Sequence, residues 1–169
     1  MRIIVGYASA YGSTAEIAER VGAVLRRDGA DADVRALRNV SDVGSYDAAV
    51  LGSAVHNQRW LPEATEFLGA HSAGLAGKPV WMFSVGMSGG LPRPLRRVAR
   101  EGQAKKIEAE LRKFVVPRGH RVFSGVCAPG QMPRWIGRIF RAIGGRFGDY
   151  RDWDDIESWA AGIGRATEP

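Results

Sequence analysis

The sequence predicts an open α/β fold, a parallel sheet with helices on both faces, and three observations carry that prediction. Five short apolar runs, Ile3 to Ala8, Ala32 to Ala36, Ala48 to Ala54, Pro79 to Val85 and Arg121 to Cys127, have the length of strands. The strongest of them are nearly continuous in apolar residues, as strands buried on both faces are. Segments with apolar residues at helical spacing separate them, and parallel neighbours need such crossovers because a tight turn cannot join them.

Taken in order, the first strand gives way to a helix over Ser13 to Arg27, with Ile17, Ala18, Val21, Val24 and Leu25 at helical spacing and Asp28-Gly29 as the stop. After the weak second strand and the strong third, Pro62 to His71 reads as a helix with Ala64, Phe67 and Leu68 on one side. The fourth strand leads to a helix over Gln103 to Val115 that turns Ile107, Leu111 and Phe114 inward. A last helix runs from about Asp154 to Gly164, introduced by Asp152 as N-cap and carrying Ile156, Trp159, Ala160 and Ile163 inward. Ligands in such sheets bind beyond the carboxyl ends of the strands, so the loops after strands one, three and four are the places to look for chemistry.

At 169 residues, 45% hydrophobic and 25% charged, the chain can bury roughly 70% of its unfolded surface as one domain over 1–169, with no disulfide or metal staple needed. The lone cysteine, Cys127, suits a reducing compartment. Neither a signal-peptide pattern nor a run of about 18 apolar residues is present, so a cytoplasmic protein is expected. The net charge of +6 is uneven: Arg93 to Arg151 carries 15 Lys and Arg against 4 Asp and Glu, and the remainder 9 against 14. A basic face of this kind favours an acidic partner, phosphate groups or an anionic membrane surface, or is simply solvated.

The first loop reads Ser9-Ala10-Tyr11-Gly12-Ser13-Thr14-Ala15-Glu16. Helix N-terminal amides with Ser9, Ser13 and Thr14 can wrap a phosphate without any Lys or Arg. Ordinary capping by Ser13, with Glu16 completing a capping box, accounts for one hydroxyl and not the set. The loop lacks the Gly-Lys-Ser/Thr ending of a Walker A sequence and the Gly-x-Gly-x-x-Gly dinucleotide turn, which leaves a mononucleotide or a single phosphate.

Strand, Ser-Ala-Tyr-Gly-Ser-Thr, helix resembles the phosphate loop of flavodoxins, whose general form is Ser/Thr-x-x-Gly-x-Thr. Gly52-Ser53-Ala54-Val55-His56, then Trp60 and Glu66-Phe67-Leu68, with Tyr150-Arg151-Asp152-Trp153 before the last helix, resemble the bacterial menaquinone-dependent protoporphyrinogen dehydrogenase branch of that family. The resemblance implies a doubly wound five-stranded parallel sheet of order 2-1-3-4-5, with an insertion after strand five. It implies FMN, its phosphate on Ser9, Ala10, Tyr11, Gly12, Ser13 and Thr14. The ring would lie between the loop of Ser53, Ala54, Val55, His56, Asn57 and Trp60 and that of Ser84, Val85, Gly86, Met87, Gly89 and Gly90.

Trp60 can stack on such a ring or serve as ordinary core. The second loop has no aromatic between Gly86 and Gly90, which leaves one flavin face open. His56 and Arg59 are the candidate catalytic groups, since positive charge near the flavin N1 and O2 edge favours the anionic reduced form; His56 can equally cap the strand end. His71 and His120 are expected at a helix end and before a strand, with no chemistry, and no metal-ligand spacing occurs.

The insertion between Cys127 and Tyr150 reads as a helix over 134–147 with Ile136, Ile139, Phe140 and Ile143 on one face and Arg134, Arg138 and Arg141 on the other. Its apolar face either packs on the sheet edge as core or lies on an anionic membrane, where a lipid-soluble quinone is at hand. Arg93, Arg96, Arg97 and Arg100 can meet the carboxylates of a porphyrinogen or remain solvated.

The expected function is an FMN-dependent oxidoreductase passing reducing equivalents from a protoporphyrinogen-like substrate to a quinone-type acceptor. The alternative is a flavodoxin-type electron carrier docking on a redox partner. A phospho-receiver is excluded by Ala8, Ser9, Ser53 and Ala54 where acidic residues would be needed. Nucleic-acid binding is not expected, because no recognised motif accompanies the basic charge. The oligomeric state is left open.

Overall fold

The structure, a computed structural model, describes residues 1–166, with the side chains of Arg93 and Pro94 outside that description. The elements are β1 (Arg2–Ala8), α1 (Ser13–Arg27), β2 (Asp31–Ala36), β3 (Ala48–His56), β4 (Arg59–Trp60), α2 (Pro62–Leu75) and β5 (Val80–Gly86). They continue with α3 (Arg93–Leu111), β6 (Gly119–Ser124), β7 (Val126–Cys127), α4 (Arg134–Ala142), β8 (Gly148–Asp149) and α5 (Trp153–Ala166).

The main sheet has the order β2-β1-β3-β5-β6, all parallel, which over the parallel strands is the predicted 2-1-3-4-5. Side chains alternate between its faces, so each central strand feeds two cores. Ile3, Val5, Val50, Phe83 and Val85 meet Ile17, Val21 and Leu25 of α1 and Ile156, Ala160 and Ile163 of α5 on one side. Ile4, Leu51, Val80 and Met82 meet Leu68 of α2 and Ile107 and Leu111 of α3 on the other. Each such fully buried Leu, Ile or Phe contributes about 1.5 to 3 kcal/mol of transfer free energy.

Asp152 caps α5 as expected, its Oδ1 accepting from the Asp155 amide at 3.1 Å. Five predicted elements differ from the structure. Strand β3 does not end at Ala54. It runs to His56 and turns back through Asn57 and Gln58, at φ of 50° and 62°, into β4, pairing His56 with Arg59 and Val55 with Trp60. Two successive left-handed residues make the mirror-image turn that matches strand twist.

Helix α3 starts at Arg93 rather than Gln103 and ends at Leu111 rather than Val115; α2 continues past His71 to Leu75. The predicted fifth strand is two strands. Gly125, whose amide donates to the Gly86 carbonyl at 2.8 Å, separates β6 from β7, and β7 pairs antiparallel with β8 in a small second sheet. The insertion helix is shorter than 134–147, ending at Ala142, and only Phe140 of its apolar face is buried.

Candidate functional site

The N-terminus of α1 departs from the capping-box expectation. Its N-cap is Gly12, at φ 92°, and Ser13 is the first helical residue. A non-glycine side chain is strained at that φ. Glu16, the residue that would complete the box, instead pairs with Arg151. Ser9 Oγ accepts from the Gly12 amide at 3.0 Å, which closes the loop, and the first helical bond runs from Glu16 N to Gly12 O. The amides of Ser13, Thr14 and Ala15 therefore precede the helical ladder. The buried Thr14 Oγ1 has no hydrogen-bond partner among the described residues. An orphaned hydroxyl beside free helix-terminal amides fits a phosphate, which supplies acceptor oxygens to both. Tyr11 stands exposed at the loop's edge.

A cavity of about 630 Å³ opens beyond the C-terminal ends of β3 and β5. The β3–β4 turn (Val55 to Gln58) forms one wall and Met87, Ser88 and Leu91 another. Val98, Ala99, Gly102 and Gln103 of α3 line it, and Gln131, Met132, Pro133, Ile136 and Phe140 of the insertion roof it. Its lining is mostly apolar with a few amides and one imidazole, the composition of a small-molecule site. Ser88 Oγ, buried in this wall, is a second buried side-chain polar atom without a hydrogen-bond partner among the described residues. None of residues 9–14 lines the cavity, but Gly125 links the two: a Cβ there would stand 3.1 Å from Ser13 Oγ. Gly125 in turn donates to Gly86 O, and a Cβ on Gly86 would meet Gln103 Oε1 of the cavity wall at 3.0 Å.

The structure places Val55, His56, Asn57 and Met87 together on the cavity wall and other predicted residues elsewhere. Trp60 takes the core alternative: it is buried, and its Nε1 donates to Ser84 Oγ at 2.7 Å. Ser84 Oγ also lies 2.8 Å from His120 Nε2. Burial holds the His120 imidazole below its ordinary value, with the Glu108 carboxylate opposing. A neutral ring can accept at Nε2, so Ser84 accepts from Trp60 and donates to His120. His120, expected before a strand, lies within β6, and His71 lies within α2 against Phe67.

Ser53 is buried, its Oγ donating to Ala54 O and accepting from the Leu61 amide. Ala54 pairs with Val85 in register, and Val85 belongs to the core. Arg59 reaches Glu110 on α3 at 3.9 Å and does not line the cavity.

The open second loop is corrected as well. Gly89 and Gly90 are buried, and a Cβ on Gly89 would come within 2.4 Å of Tyr150 Cβ, on Gly90 within 2.6 Å of the Arg146 carbonyl. Their smallness admits the insertion. Arg151 clamps that covering segment: it binds the Asp149 carboxylate and Glu16 and stacks over the Trp153 ring at 4.7 Å. These contacts hold the Asp149 carboxyl below the usual carboxylate range, the Arg151 hydrogen bond first among the causes.

The arginines of α3 are engaged within the protein, Arg96 with Leu91 O, Arg97 with Glu101 and Arg100 with Val122 O; the Arg93 side chain lies outside the described residues. Sequence reasoning missed Val98, Ala99 and Gly102 because it began α3 only at Gln103, to which it gave no role. Pro94 in the first turn and the spacing of Leu95, Val98 and Ala99 were the available signals.

A parallel sheet of this order, with a phosphate-type loop after β1 and a cavity beyond β3 and β5, defines a flavodoxin-like fold. The sequence profile described as Flavodoxin domain matches residues 4–143, and the chain belongs to that family. Membership carries an FMN cofactor site and flavin-mediated electron transfer.

Solved structures agree on the fold. A flavodoxin from the domain Archaea aligns over 98% of both chains at 17% identity and TM-score 0.64. A variant flavodoxin of Pseudomonas aeruginosa covers 98% of each at 13% and 0.62. Oxidised flavodoxin 1 from Bacillus cereus covers 99% of this chain and 100% of its own at 18% and 0.60. Among curated proteins none matches the chain. No helix among the described residues is long and apolar enough to cross a membrane.

Proposed function

We propose that the protein is a flavodoxin-type electron-transfer protein that holds the FMN phosphate on residues 9–14 and exchanges electrons at the cavity beyond β3 and β5. The single observation that carries this is the buried, unpartnered Thr14 Oγ1 beside the amides of Ser13 to Ala15 at the family's ligand end of the sheet. Bound FMN supplies reversible one- or two-electron storage. The chain's own residues fix it: Gly12 and Ser9 shape the loop, Thr14 and the helix-terminal amides bind phosphate, and Val55, His56, Asn57 and Met87 border the ring.

A second reading, favoured by the apolar cavity under the insertion, is a two-electron FMN-dependent dehydrogenase. It passes reducing equivalents from a protoporphyrinogen-like substrate to a quinone-type acceptor in a cytoplasmic protein that touches the membrane through 134–147. Here His56 is the candidate for proton transfer or for charge stabilisation at the ring, because it lines the cavity and Arg59 does not.

Anaerobic reductive titration of the FMN-loaded protein tests both. Accumulation of a half-reduced radical form supports the carrier, and direct passage to the two-electron form supports the dehydrogenase. Failure to retain FMN overturns both.

A further inference from the structure

We propose that the exposed face formed by α4 and the N-terminal half of α3 docks on an anionic lipid surface, with the cavity mouth turned toward the bilayer. The proposal deepens the second reading above, which already has residues 134–147 touch the membrane, and rests on it for the lipid-borne apolar reactant.

Successive helical residues are about 100° apart, so Trp135, Ile139, Ile143 and Ile136 form one continuous apolar arc, and Arg134, Arg138 and Arg141 form the opposite one. Of the whole arc only Phe140 is covered. Trp135 is 65% exposed, Ile139 54%, Ile143 48% and Ile136 37%, while Val98 and Leu95 of α3 stand 70% and 46% exposed. Ile136 and Val98 also line the cavity, so this apolar surface rims its mouth. Isolated exposed apolar side chains are ordinary on a protein surface; a contiguous set on two helices around a cavity is the mark of a contact surface.

Charge selects the occupant. From 126 to 148 the chain carries four arginines and no acidic residue, and among the described residues none of the four forms an ion pair. A second copy of the same face would set arginine against arginine. Trp135 sits where the apolar arc meets Arg138, the boundary position that an indole takes at a bilayer interface, while arginine stems lie along apolar surface and lift their heads to phosphate.

The test is co-sedimentation of the FMN-supplemented protein with vesicles of phosphatidylcholine alone or mixed with phosphatidylglycerol, at low and high salt. The expected result is at least about tenfold stronger partition onto the anionic vesicles, weakening with salt. Ile139→Ser with Ile143→Ser, both exposed, should lower it about tenfold with circular dichroism and FMN retention unchanged. Arg134→Gln with Arg138→Gln should lower it to a similar extent.

Equal partition onto both lipids overturns the proposal, as does binding that the isoleucine pair leaves intact. A concentration-dependent dimer that the isoleucine pair abolishes also overturns it, because a second copy then covers the face. The readout needs no electron donor. Lost vesicle binding with intact flavin reduction removes the docking alone, and vesicle binding by a protein that fails to retain added FMN removes the flavin reading alone.

Discussion

Trp60 Nε1 donates to Ser84 Oγ at 2.7 Å, tying the returning strand of the β3–β4 hairpin to the middle of the sheet. The tie fixes the turn at Asn57 and Gln58, which forms one wall of the cavity. Ser84→Ala leaves a buried indole N–H unpaired and should cost about 1 to 3 kcal/mol in urea unfolding. Trp60→Ala should cost about 3 to 5 kcal/mol, because it also empties the core space beside Leu68. A loss under half a kilocalorie in Ser84→Ala would show that the bond does not anchor the hairpin.

Burial makes stability depend on pH through His120, whose ring the same serine contacts. Its folded-state pKa lies below the ordinary 6.5, so the unfolded chain takes up the proton first as pH falls. The stabilisation is therefore complete above 6.5 and declines as pH drops through the lowered folded value. Unfolding free energy measured across this range should fall with a slope approaching 1.4 kcal/mol per unit, and His120→Asn should flatten it. An unchanged slope in the variant would remove His120 from the account. The carboxylates held low, Asp33, Asp42 and Asp149, act in a more acidic window.

Thr14→Val separates a ligand-binding hydroxyl from a structural one. The hydroxyl is buried and unpartnered, so the isosteric change should leave the FMN-free protein as stable or more stable. FMN affinity, read by fluorescence quenching, should fall about 10- to 100-fold, the worth of a charge-assisted bond. Unchanged affinity would detach the phosphate from this loop. Gly12→Asp should also abolish FMN retention, through a positive φ that favours glycine and a carboxylate set against phosphate.

Gly90→Ala pushes a methyl into the Arg146 carbonyl and the Phe140 ring. The insertion should lift, costing about 1 to 3 kcal/mol and exposing Cys127, a residue now 1% exposed whose thiol is pushed up by burial. Thiol labelling by a maleimide reads this directly; a rate equal to that of the parent would mean the covering segment has not moved.

Arg151→Met should cost about 1 to 2 kcal/mol, since it strips partners from Glu16 and Asp149 while keeping some packing on Trp153. A double-mutant cycle with Glu16→Gln isolates the bond between β8's flank and α1, and a coupling of zero would reduce it to a surface contact.

The parallel core was legible because Ile3 to Ala8 and Pro79 to Val85 must be buried on both faces to be stable, a property of the run itself. The hairpin after β3 was not, because Asn57-Gln58 lacks the glycine that announces a mirror-image turn. Trp60 read equally well as a stacking or a core residue until β4 reversed the chain and aimed it at Ser84. The first half of α3 was hidden by its arginines, of which Arg96 and Arg100 find their partners, Leu91 O and Val122 O, outside the helix. Gly89 and Gly90 were read as room for a ring, and the distinction between a ring and Tyr150 lies in tertiary packing that no local pattern carries.

The insertion leaves the sheet at Gly125 and comes back to it, the Tyr150 amide donating to the Gly125 carbonyl at 3.3 Å. Its two ends are already joined at the base, so the closure entropy of the excursion varies only slowly with its length. The roof over the cavity is in this sense a replaceable part: its length and chemistry can change while the strand register beneath stays as it is, and the face that the flavoprotein shows to its partners is set separately from the scaffold that holds its cofactor.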